Sequence, residues 1–185
     1  MMKPFRVVPL LLLGLIPAAA CKEAPVAPGV AMDANSNQVT IGMRLKITEA
    51  GAMKADLTAD TAETPAGQTN TQMKKVHLVF YEPGRKPSNL TSKTGEYDQQ
   101  SGMMTARGNV VLITQGDHGM RTITTQELHW DQRADHVWST VSTTIVENGQ
   151  TLITEGFTSN AAFTNLQGKN AVVKGVKVGE GGFRF

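Results

Sequence analysis

The sequence predicts an all-β fold, and three observations carry that prediction. β-favouring residues come in short runs cut by turn signals, with no convincing helical period between them. Within the runs apolar and polar side chains alternate: in "VHLVFY", Val76, Leu78 and Phe80 share one face of a strand. A phrase also recurs, as "LTADTAE" at Leu57, "LTSKTGEYD" at Leu90, "ITTQELHWD" at Ile123 and "FTSNAAFTN" at Phe157, with starts 33, 33 and 34 residues apart. Such a period holds about two strands and two turns, and stacked units of that kind make a β-sandwich, a jelly roll or a short solenoid.

The elements follow in chain order. "MMKPFRVVPLLLLGLIPAAAC" has a charged front at Lys3 and Arg6, an apolar run from Val7 to Ile16 and small residues before Cys21. That order is an export signal, expected over residues 1–20. Its apolar run is about ten residues, half the roughly twenty that a membrane-spanning helix needs. Residues 21–37, with Pro25, Pro28 and Gly29, read as a flexible tether. The domain is expected over 38–178, with strands at Val39–Thr48, Lys54–Glu63, Met73–Tyr81, Leu90–Tyr97, Met103–Thr114, Met120–Trp130, His136–Val146, Thr151–Phe163 and Ala171–Val178. Residues 179–185, from "GEGGF" onward, read as a flexible tail. Among the turns Asn148-Gly149 is the clearest, since both residue types tolerate the positive φ of a tight hairpin. "NVVLIT" is apolar on both parities and reads as a more central strand, or one with both faces covered.

Charge and cysteine content narrow the function classes. The chain has 18 basic and 16 acidic side chains, and the signal holds two of the basic ones and no acid, so the mature chain is formally neutral. A basic nucleic-acid footprint is missing. Cys21 is the only cysteine, so no internal disulfide forms and burial must hold the fold. Its place directly after "AAA" resembles the lipobox of bacterial lipoproteins, which implies a diacylglyceryl group on the Cys21 thiol and an acylated amino terminus. Such chains hold a protein on a membrane surface, each buried methylene contributing about 0.8 kcal/mol.

No catalytic constellation emerges. Histidines stand at 77, 118, 129 and 136. His129, Asp131, Asp135 and His136 are of ligating types, yet "DQRAD" aligns with "DQQSG" one repeat earlier, where no histidine appears, so the segment reads as a turn with charged tips. There is no Gly-x-Ser-x-Gly elbow, Walker loop or paired-cysteine motif. Trp130, Trp138 and Tyr97 read as core or cross-strand residues before a stacking platform. The expectation is a protein that is not an enzyme and carries no cofactor or metal.

The stretch from "LTSKTGEYDQQSGMMTARGNVVLIT" through "ITTQELHWDQRADHVWSTVSTTIVENGQTLITEGFTSN" resembles the LptC family, the periplasmic component of the lipopolysaccharide export ABC transporter, within the OstA-like group. The similar features are the turn-flanking "YD" and "WD", the "ARGNVV" strand and the "G-x-T-S-N" after a "V-E-N-G" hairpin, across about Val39 to Gly175. The resemblance implies a single twisted, open antiparallel β-jellyroll whose apolar interior holds the acyl chains of lipid A. It implies, as partners, lipopolysaccharide, the inner-membrane ABC transporter and a periplasmic OstA/LptA-like bridge protein. An alternating strand supplies such a trough from one face, and parity selects Leu78, Phe80, Val110, Leu112, Val137, Val141 and Ile145 as its lining. The terminal run "NAVVKGVKV" reads as an unprotected edge strand, with Val172, Val173, Lys174 and Gly175 expected at the partner contact. The family commonly keeps a transmembrane helix where this chain has Cys21. Lys22 after it favours the outer membrane by the lipoprotein sorting rule, transport logic the inner one, and the inner membrane is the expectation. The alternative is a lipid-anchored sandwich or solenoid with a closed core that docks envelope proteins.

Overall fold

The structure, a computed structural model, describes residues 37–174. The signal, Cys21, nearly all of the tether, Gly175 and the tail lie outside those residues. Twelve strands are described: β1 (Gln38–Glu49), β2 (Ala52–Thr64), β3 (Asn70–Phe80), β4 (Ser88–Asp98), β5 (Met103–Gly116), β6 (Gly119–Asp131), β7 (His136–Ser139), β8 (Thr143–Glu147), β9 (Gln150–Thr154), β10 (Gly156–Ser159), β11 (Gln167–Lys169) and β12 (Val172–Lys174). They form one open antiparallel sheet, and the described residues contain no helix, as the sequence predicts.

The sheet begins as a meander from β1 to β6 and then forks. Arg121 to Thr125 of β6 pair with β8, whereas His129 to Asp131 pair with β7. One arm continues through β9 to β12, the other through β10 to β11. The fork follows from a crease that crosses β2 to β6. Inward-facing residues step by three, not two, from Ala59 to Ala62 in β2, Met73 to Val76 in β3, Ser92 to Gly95 in β4 and Thr125 to Leu128 in β6. A three-residue step is an irregularity that restores the same face after a bend. The pairing register shifts there too, between Thr91 and Thr94 against β5 and between Arg107 and Val110 against β6. Lys75 at φ 51° and Asn109 at φ 48° mark the line in β3 and β5.

At the crease the chain changes arms, which corrects two sequence expectations. The run read as one strand from His136 to Val146 is two, β7 and β8, because Thr140 to Ser142 cross between the arms and join no ladder. Val141, expected to line the interior, lies in that crossing and is 37 % exposed. Thr151–Phe163 likewise divides into β9 and β10, with Phe163 in the loop beyond. Gly156 begins β10 where a Cβ would lie 2.5 Å from the Ser139 carbonyl oxygen, so only glycine permits that approach. The segment "LQGKN", between the expected strands Thr151–Phe163 and Ala171–Val178, contains β11. The Asn148-Gly149 turn has φ of 49° and 75°, the conformation the dipeptide predicts.

The repeat has a physical meaning in this frame. Leu57 pairs with Leu78, Leu78 with Leu90, Leu90 with Leu112, Leu112 with Ile123, Ile123 with Ile145, and Ile145 with Leu152. Leu45 precedes this row and Val173 ends it, so an aliphatic ladder crosses one arm from edge to edge. Leu57, Leu90 and Ile123, the opening residues of three repeats, are its rungs on β2, β4 and β6. Each full burial of such a side chain contributes about 1.5–3 kcal/mol. The crease falls a few residues later in each unit, and the sequence period is one passage out and back through the bend.

Candidate functional site

The inner face of the folded sheet is where the apolar side chains converge. Leu78, Phe80, Val110, Leu112, Val137 and Ile145 are all buried in one continuous core. Six of the seven residues selected by parity therefore share that interior, and Val141 does not. The interior is filled by the protein's own side chains. Phe80 of β3 meets Trp130 of β6 edge to face, ring centroids 5.0 Å apart, and meets Phe163 in the same manner at 5.4 Å. Two strands separate β3 from β6 in the sheet order, so the contact with Trp130 spans the fold.

The arms part at a narrow cleft of about 50 Å³, bordered by Glu49, Lys54, Tyr81 and Glu82 from one end of the strands and by Gln132, Arg133, Asp135 and Ala161 from the other, with Trp130 between them. Opposite strand ends share one opening only because the sheet is doubled over. A larger cavity, about 330 Å³, lies where β7, β10 and β11 meet, beside Trp138, Phe157 and Lys169.

A buried ion pair stands among the interior side chains. Arg121 and Glu147 face each other across β6 and β8, both buried, with Arg121 Nε and Nη2 each 2.7 Å from Glu147 Oε2. Glu147 Oε1 accepts the His118 backbone N–H at 2.8 Å, and Arg121 Nη1 donates to the Phe163 carbonyl at 3.4 Å. Burial pushes the Glu147 carboxyl up. The His118 N–H, the Arg121 hydrogen bond and the positive charge of Arg121 outweigh it, so the group sits below its ordinary value. The pair also excludes side chains nearby, since a Cβ on Gly116 would meet Glu147 Oε1 at 2.2 Å.

The outer face carries the histidines expected at a charged turn. His129 bonds Glu127 at 2.7 Å and Thr105 at 3.1 Å, and Trp138 stacks on both His129 and His136. Arg107 bridges Glu96 and Glu127, an exposed chain of the kind that adds little stability.

The expected partner strand is present as β12. Val172, Val173 and Lys174 are exposed and pair only with β9.

Against this geometry, the chain matches the family model described as "Lipopolysaccharide-assembly, LptC-related" over residues 29–177. The chain belongs to that family. No curated protein matches it. Among solved structures it is similar to that of LptH, described as the LptA homologous periplasmic component of the conserved lipopolysaccharide transport device from Pseudomonas aeruginosa, at 15% identity, TM-score 0.48, covering 62% of this chain and 80% of that chain. In this LptC-related chain the strand order and the inward ladder account for the motifs that carried the resemblance. "ARGNVV" is the β5 crease and "YD" and "WD" end β4 and β6.

Two features escaped the reading of the sequence, the Arg121–Glu147 pair and the place of Phe163. Arg121 has the parity of Ile123 and Glu147 that of Ile145, so two opposite charges at inward positions were the available signal. Trp130, read as a core or cross-strand residue, is buried in the core. Phe163 gave no signal, because a phenylalanine inside an assumed strand looks like any other core residue.

Proposed function

We propose that the protein carries lipopolysaccharide across the periplasm, accepting it from the inner-membrane ABC transporter and passing it to a periplasmic OstA/LptA-like bridge protein, with no bond made or broken. The family match across most of the chain carries this reading. The aliphatic ladder supports it: several acyl chains need a long apolar surface, and Leu78, Phe80, Val110, Leu112, Val137 and Ile145 provide one along the inner face. Cys21 is the lipid attachment that keeps the domain at the inner membrane. Val172, Val173, Lys174 and Gly175 form the edge to which the bridge protein adds a strand.

The packed interior also favours a second reading, a lipid-anchored docking module that never opens. Isolation from envelopes of lipopolysaccharide-producing cells separates the two. A carrier retains lipopolysaccharide through mild detergent extraction and releases it to the bridge protein in an ATP-dependent reconstitution. A docking module isolates free of it.

A further inference from the structure

Trp130 is 2 % exposed, and its indole N–H is the one buried side-chain donor or acceptor without a hydrogen-bond partner among the described residues. Folded proteins pair nearly all such groups, and an orphan costs about as much as a lost hydrogen bond. The neighbouring Phe80 ring, edge to face at 5.0 Å, offers at most a weak N–H···π contact. This donor stands at the cleft where the arms part, with Tyr81, Gln132 and Ala161 around it.

Phe163 follows two residues after Ala161. It is 1 % exposed and its backbone has φ 55°, a left-handed conformation that a bulky aromatic residue rarely adopts. Backbone strain of this kind persists where surrounding contacts impose it, and it concentrates at ligand clamps and switches. Within its own loop the Phe163 N–H donates to the Asn160 carbonyl at 3.1 Å, and the Thr164 N–H donates to Asn160 Oδ1 at 3.0 Å. The Phe163 ring rests on Phe80, its carbonyl accepts from Arg121, and its loop is tied to the neighbouring turn by the Ala161 N–H to Asp135 Oδ1 at 3.2 Å. The ring thus fills the interior from a loop and not from a strand.

We propose that Phe163 is a removable plug, and that the Trp130 N–H donates to the carbonyl oxygen of an ester- or amide-linked acyl chain that takes its place. A bare hydrocarbon leaves the indole unpaired, whereas an acyl group brings hydrocarbon for Phe80 and an acceptor for the nitrogen. Release of the loop relaxes its strained backbone as the chain enters. The proposal rests on the lipid-cargo reading and specifies how one chain of that cargo is held.

The test uses the full chain labelled with ¹⁵N. The protein has two tryptophans, so two indole signals are seen and Trp138→Phe assigns them. The probes are a glucosamine phosphate bearing ester-linked 3-hydroxyacyl chains and its ether-linked analogue, which lacks the carbonyl. The expected result is a downfield shift of the Trp130 signal with the ester alone, and about fivefold weaker binding of the ether, a gap that closes in Trp130→Phe. Phe163→Ala binds the ester more tightly than the wild type, with Phe163→Leu between them as a milder change. An unmoved Trp130 signal at saturation, or equal affinity for both probes, overturns the anchor while leaving the cargo reading in place. Binding weakened by Phe163→Ala in a folded protein overturns the plug. Failure of both probes to bind both the wild type and Phe163→Ala overturns anchor and cargo together.

Discussion

Glu147 shows how much a single inward charge governs. Its folded-state carboxyl lies below its ordinary 4.5, so the folded protein binds that proton less readily than the unfolded chain. The stability it contributes is therefore present above pH of about 4.5 and lost as pH falls through the folded value. Urea midpoints measured down a pH series are expected to show this decline in the wild type and a flatter acid limb in Glu147→Gln. At neutral pH the same variant leaves Arg121 buried and unpaired, at a cost of about 3–5 kcal/mol. Identical acid limbs in the two proteins would assign the decline to other carboxylates. Leu112 and Val141 make a second contrast at this scale, since parity places both inward and the structure only Leu112. Leu112→Ala is expected to cost about 2–5 kcal/mol and Val141→Ala no more than about 0.5 kcal/mol, both read from denaturant midpoints.

At the scale of the strand, the crease is the feature to perturb. Lys75 holds φ 51° in β3 with its side chain exposed, and its ammonium reaches only Asp60, at 2.7 Å. An exposed pair of this kind is worth little, so backbone conformation decides the outcome. Lys75→Gly is expected to leave stability unchanged or raise it by up to about 1 kcal/mol, whereas Lys75→Val loses about 1–2 kcal/mol, checked by thermal unfolding. Most strands were legible in the sequence because alternation and turn residues mark β1 to β6 plainly. The crease was not, because a three-residue step from Met73 to Val76 looks in one dimension like an imperfect alternation. The same bend hid the division of β7 from β8. Parity counted through Val141 without knowing that the chain was changing arms there, yet Ile145 still came out inward because Thr143 resumes the original face. Trp130 was legible as apolar, but its meeting with Phe80 of β3 across the fold arises from doubling the sheet, which no local pattern encodes.

For the whole molecule, the account joins an anchor, a lipid-holding interior and an edge. Cys21→Ala is expected to yield a folded domain that leaves the membrane fraction and takes up no radiolabelled palmitate. Retention in the membrane with the signal uncleaved would make the apolar run a helix. Removal of Ala171 to Phe185 takes away β12, which pairs only with β9. The truncated protein is expected to keep its β-sheet circular dichroism and its lipopolysaccharide binding while losing the bridge protein, and unchanged bridging would place that contact elsewhere. The central claim is that lipopolysaccharide enters the inner face of the sheet, and site-specific photo-crosslinking in living cells tests it most directly. A photoreactive residue at Phe80 or Leu112 is expected to capture lipopolysaccharide, and one at Lys93 or Val141 is not. Equal capture at both sets, or capture at the outer set alone, would contradict the account.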